Sequence, residues 1–164
     1  MNKKFHFSRR QVLTFASVSI MASFPSAFAE RGIIDIHVVK NAQCGCCDSW
    51  VEILSQKGFL VTTENRSRDL LIKFKIKSGI PKAMRSCHTA HTMGYFIEGH
   101  VPTEDIKRLI AERPNALGLA VPGMPFGSPG MGPEAERQAY NVFIIRRNRT
   151  PEVFHHYPKA GLLV

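Results

Sequence analysis

Three of the chain's four cysteines, Cys44, Cys46 and Cys47, fall within four consecutive residues, and the fourth is Cys87. Thiols this close can form a disulfide, act as a redox pair or hold a metal. A bond within the triplet closes so short a loop that it removes little entropy from the unfolded chain, which argues against a stapling role. Cys44-x-x-Cys47 has the spacing of a thioredoxin-like redox motif, with Cys44 attacking and Cys47 resolving. Cys46 complicates that use, because it offers a competing thiol. As metal ligands the same residues favour soft ions. Cu(I) prefers thiolate and thioether sulfur, whereas zinc takes thiolate and imidazole. Adjacent Cys46 and Cys47 do not wrap one tetrahedral ion comfortably but suit bridging between ions, so a small cluster of more than one Cu(I) fits them. Structural zinc normally shows two separated ligand pairs, so zinc is the weaker reading.

Other donors are scattered. Cys87 sits in the polar stretch SCHTAH, residues 86–91, and would close the site from across the fold. Met124, between Gly123 and Pro125, and Met131, between Gly130 and Gly132, lie in a segment where no helix or strand face gives them a core position, so both are candidate ligands or caps. His88 adjoins Cys87 and is a candidate ligand as well as a candidate hydrogen-bonded structural histidine, and His100 in EGHVP is read the same way. Met84 and Met93 read as structural, His91, His155 and His156 as surface residues, and His37 as a non-ligand. Glu98 is expected to hold a loop by hydrogen bonds rather than to bind a soft metal.

The elements around these residues alternate. Residues 32–41, GIIDIHVVKN, read as a buried strand. The cysteines follow, and then a helix over 48–58, with an apolar stripe of Trp50, Val51, Ile53 and Leu54 and a stop at Gly58. Residues 59–64 form a second strand and 67–79 a second helix, with Leu70, Leu71, Phe74 and Ile76 inside. A strand is expected around Tyr95–Glu98, and a helix over 103–114 with Thr103 as its N-cap and Pro114 closing it. Residues 117–134 are rich in Gly and Pro and are expected to be irregular. Residues 139–147 and 150–157 form a hairpin across Asn148-Arg149. The opening strand, cysteine turn, helix, strand and helix make a βαβα unit. The fold class is α/β: a single thioredoxin-like domain, a mixed sheet flanked by helices, with a Gly/Pro/Met-rich loop. A helix start after the cysteine turn stabilises a thiolate, the form that attacks disulfides and binds metal.

The first residues are an address rather than structure. Lys3, Lys4, Arg9 and Arg10 precede a short apolar stretch, Val12 to Phe24, and Ala27-Phe28-Ala29 completes the pattern of a cleaved secretory signal over 1–29. Ser8-Arg9-Arg10-x-Val12-Leu13 is similar to the twin-arginine signal, whose pathway carries folded proteins. The expected product is residues 30–164, exported to the periplasm, with no stable membrane insertion once the signal is removed. The full chain carries +9, four of those charges in the signal, which leaves +5. That excess forms no stripe, and nucleic-acid binding is not expected.

Cys44-Gly45-Cys46-Cys47, Ser86-Cys87-His88-Thr89-Ala90, Tyr95, Glu98-Gly99-His100-Val101-Pro102, Val121-Pro122-Gly123-Met124-Pro125 and Gly127-Ser128-Pro129-Gly130-Met131 together carry a resemblance. Over nearly all of residues 35–145 the chain resembles the CopG-like family of exported bacterial copper-resistance proteins, a domain of unknown function. The resemblance implies a thioredoxin-like fold and copper held by the cysteines with nearby Met or His. Copper ions are then the expected partners, with other periplasmic copper-handling proteins. Two functions follow. One is a copper-binding protein in copper resistance, with Cu(I) on Cys44, Cys46, Cys47 and Cys87 and a coupling of copper redox to thiol/disulfide change. The other is a thioredoxin-like oxidoreductase using Cys44 and Cys47.

Overall fold

A computed structural model describes residues 32–161. The leader expected over 1–29 lies outside the described residues. Strand β1, Ile34–Lys40, leads into helix α1, Gly45–Gln56, and then into β2, Phe59–Asn65. Helix α2, Arg68–Lys77, follows, and then the hairpin of β3, Thr89–Thr92, and β4, Tyr95–Glu98. Helix α3, Thr103–Glu112, leads to β5, Ala116–Ala120, and a long loop leads to the closing hairpin of β6, Tyr140–Arg146, and β7, Pro151–Tyr157. The seven strands form one mixed sheet in the order β2-β1-β3-β4-β5-β6-β7. β1 is parallel to β2 and β4 to β5, and the remaining neighbours are antiparallel. Helix crossovers join both parallel pairs, as parallel strands require.

Alternation along the strands separates two layers. Ile36, Val38, Ala90, Ile97, Leu119, Val142 and Ile144 face Trp50 and Leu54 of α1 and Ile106 and Leu109 of α3. On the other face Phe96, Ala120 and Ile145 pack with Ile80, and Met84, Leu117 and Phe143 border them. Met84 is therefore structural, as expected, whereas Met93 is exposed at a turn. Among the described residues no helix is long and apolar enough to cross a membrane.

The structure corrects several expectations. Helix α1 starts at Gly45, so Cys46 and Cys47 lie in its first turn and Cys44 is its N-cap. The residue before α3 is Pro102, which takes the N-cap position expected of Thr103. In α2, Leu70 and Ile76 are exposed, and the buried positions are Leu71 and Lys75. Two strands are additional: β3 in a stretch read as polar loop, and β5 in a segment partly read as irregular.

Candidate metal centre

Topology gathers the sulfurs at one end of the sheet. β1 runs into the cysteine turn, and β3 is antiparallel to it, so the lead-in to β3 that carries Cys87 and His88 meets the start of α1. β4 is antiparallel to β3 and delivers His100 to the same end, and β5, parallel to β4, delivers the loop with Met124. Asn41 sets the turn: its Oδ1 accepts from the Gln43 N–H at 2.9 Å and its carbonyl from the Cys44 N–H at 3.2 Å. The Cys47 and Asp48 N–H groups then donate to the Cys44 carbonyl at 3.1 and 3.2 Å, which opens the helix.

The sulfurs of Cys44, Cys46, Cys47 and Cys87 all lie within 4.8 Å of one another. Cys44 and Cys47 are joined as a disulfide, while Cys46 and Cys87 are free. Cys46 Sγ lies 3.6 Å from Cys44 Sγ. Cys47 is fully buried, and the other three are half-buried. Cys87, His88 and His100 form a second group that meets the same 4.8 Å limit, so Cys87 belongs to both. His100 donates Nδ1–H to the Pro129 carbonyl at 2.8 Å, which in a neutral ring leaves a lone pair on Nε2, 3.1 Å from Cys87 Sγ. A carbonyl that fixes the tautomer in this way is the usual support for a ligating histidine. His88 Nδ1 lies 3.4 Å from Cys87 Sγ, its ring packs at a tilt against Trp50 with centroids 4.4 Å apart, and its buried Nε2 has no hydrogen-bond partner among the described residues. Such an orphaned nitrogen is unusual in a folded protein.

Burial decides the protonation of this cluster. The Cys87 thiol is pushed up to about 11, first by burial and then by the charge of Cys46. Burial lowers both His88 and His100 from the ordinary histidine value, and the charge of His100 lowers His88 further. Cys87 is therefore a protonated thiol at neutral pH, and the two imidazoles beside it are neutral. A cation entering the cluster would displace the thiol proton.

Behind Cys87 lies a buried polar clamp. Glu98 Oε1 accepts from Lys75 Nζ at 2.7 Å and from the Ser86 N–H at 2.5 Å, and Glu98 Oε2 accepts from Thr89 Oγ1 at 2.6 Å. Lys75 Nζ also donates to Thr89 Oγ1 at 2.9 Å. Glu98 thus holds residues 86–89 by hydrogen bonds, as its type and place implied. Burial raises Glu98 and lowers Lys75, and each is opposed by the other's charge. Two glycines permit the close approaches. At Gly99, φ +71°, a Cβ would lie 2.6 Å from Ser86 and from the Val121 carbonyl. At Gly130, φ +81°, it would lie 2.9 Å from the Trp50 nitrogen and 3.0 Å from the Cys46 carbonyl.

A groove of about 490 Å³ opens onto the cluster. Cys44, Cys87 and Met124 line it, and Met131 is not among its lining residues. Met131 instead closes a tight turn, its N–H donating to the Ser128 carbonyl at 2.8 Å. His91 reaches Ser78 and His37 reaches Thr62, both away from the sulfurs. His100 is the stronger histidine candidate that the sequence left level with His88, and Lys75 was not singled out at all. The only sequence signal for Lys75 was its position, i+4 from Leu71 on the buried side of α2.

Residues 84–131 match the model of a family described as a protein of unknown function, DUF411. No curated protein matches the chain. Two solved structures are similar over most of its length. Copper resistance protein copG, form 2, is 42% identical, with 77% of this chain and 99% of that one covered and a TM-score of 0.71. Form 1 is also 42% identical, over 77% of this chain and 98% of that one, with a TM-score of 0.72.

Proposed function

Because the chain belongs to the CopG-like DUF411 family, we propose that it is a periplasmic copper-binding protein of copper resistance. Its cargo is Cu(I), held by Cys44, Cys46, Cys47 and Cys87, with His100, His88 and Met124 at the margin. One observation carries this reading: four sulfurs from two distant parts of the chain lie within 4.8 Å of one another. The donor chemistry fits, since thiolate and thioether select Cu(I) over harder ions. The orphaned Nε2 of His88 fits too, as a buried donor atom still without a partner. More sulfurs converge than one ion with an adjacent-cysteine pair uses comfortably, which supports bridging among several ions. Copper bound there would supply a one-electron couple next to a two-electron thiol/disulfide couple. The Cys44–Cys47 bond withholds two of the four sulfurs, so reducing it enlarges the donor set.

The test is metal content and free-thiol count on protein purified anaerobically from copper-supplemented cells. Several copper ions per chain with all four thiols protected support the reading. A metal-free protein that keeps the Cys44–Cys47 bond rejects it. That same disulfide favours a second reading, a thiol–disulfide oxidoreductase. Cys46→Ser separates the two. A copper cluster should lose most of its metal, whereas an exchange enzyme should keep its Cys44–Cys47 activity.

A further inference from the structure

We propose that the groove beside Cys44 binds a small anionic thiol, which reduces the Cys44–Cys47 disulfide by attacking Cys44. This deepens the copper reading, and rests on it only for the use to which the freed thiolates are put. Three cations, Arg68, Lys75 and Arg85, line the groove, and no Asp or Glu does. Lys75 is neutralised by Glu98. Arg68 has no hydrogen bond or ion pair among the described residues, and Arg85 spends only its Nε–H, on the Ile80 carbonyl at 3.3 Å. Two guanidinium groups are therefore available to carboxylates, in the planar geometry that arginine offers them. Leu71 and Ile72 supply an apolar wall, and the volume of about 490 Å³ lies in the range of small-molecule sites. Cys44 lines this groove, whereas Cys47 is fully buried. A thiolate in the groove therefore reaches only the Cys44 side of the disulfide.

The exchange balances. The incoming thiolate bonds to Cys44 Sγ, the Cys44–Cys47 bond breaks, and its electron pair leaves on Cys47. Cys47 departs within the first turn of α1, where helix N–H groups stabilise a thiolate. A second thiolate attacks the sulfur of the bound thiol and releases Cys44. Two thiols become one small disulfide, their two electrons reduce the protein disulfide, and their two protons are matched by those on Cys44 and Cys47.

Glutathione, with two carboxylates, is the probe, against neutral 2-mercaptoethanol and cationic cysteamine. Rates of disulfide loss on the oxidised protein are followed by thiol labelling and mass spectrometry and compared per thiolate. Glutathione should be fastest and cysteamine slowest. The advantage over 2-mercaptoethanol should be about tenfold, the size that two exposed charge pairs can supply. The acid-quenched adduct should map to Cys44. Arg68→Gln with Arg85→Gln should remove most of the glutathione advantage. Should that double variant fail to fold, raising the salt on the unaltered protein should shrink the advantage instead. Equal rates per thiolate for glutathione and 2-mercaptoethanol, an adduct on Cys47, or an advantage indifferent to both salt and the arginines would each overturn the proposal. Copper uptake is measured separately, on protein reduced with dithiothreitol. No uptake there would reject the copper reading while leaving the thiol preference standing.

Discussion

His88 and His100 carry the clearest pH signature of single residues. Both rings are buried and held neutral, with values below the ordinary 6.5. Below pH 6.5 the unfolded chain therefore takes up protons that the folded rings refuse. Stability of the metal-free protein should fall as pH drops from 6.5 through the lowered values, by up to about 1.4 kcal/mol per pH unit for each ring. Urea melts between neutral and mildly acid pH would show it, and a flat profile would mean the rings are not buried as neutral groups. Glu98 makes a separate prediction. Glu98→Gln removes the counter-charge of Lys75 and weakens the anchor of Ser86. Breaking a buried pair from one side costs about 3–5 kcal/mol, so a large fall in denaturation midpoint is expected. Restoring neutrality with Lys75→Met as well should recover part of that loss.

At the scale of elements, the start of α1 and the loop over it are one assembly. Gly130 rests on the helix backbone at Trp50 and Cys46, with positive φ. Gly130→Ala should cost about 1–3 kcal/mol, because backbone rather than a flexible side chain must yield. It should also loosen Pro129, whose carbonyl orients His100, and so reduce metal retention beyond what the stability loss explains. The helices and the long apolar strands around this assembly were legible from periodicity. β3 was not: its four residues TAHT are few and mostly polar, yet Thr89, Ala90 and Thr92 are buried, Thr89 within the Lys75–Glu98 clamp. β5, ALGLA, runs straight into the Gly/Pro segment, which hid its strand character. In α2, two extra apolar residues, Leu70 and Ile76, masked the buried side that Leu71 and Lys75 mark. Of the site, the cysteines were legible by type and spacing. His100 needed the third dimension, because only the Pro129 carbonyl reveals which ring nitrogen is free.

For the whole molecule, a second anchor lies at the β7 edge of the sheet, several strands away from β1 and the cysteine turn. Asp105 of α3, almost fully buried, accepts from Tyr157 at 2.8 Å and holds His155 at 2.8 Å, while Arg108 donates to the Phe154 carbonyl at 3.1 Å. These contacts fasten β7 to α3 at the edge of the sheet opposite β2. Asp105→Ala should therefore speed amide hydrogen exchange in β7 far more than in β1 or β3, and leave copper binding intact. Equal acceleration everywhere would show that the sheet opens as a unit. The pairing of β1 with β3 has a different consequence. Cys44, Cys46 and Cys47 are neighbours even in a nascent chain, whereas Cys87 joins them only after a loop of some forty residues has closed. An ion caught early would thus be gripped by the triplet alone, and the full grip would come only with native pairing. Tight retention then becomes a certificate of correct folding, and heating the loaded protein should shed its cargo in step with the loss of the sheet.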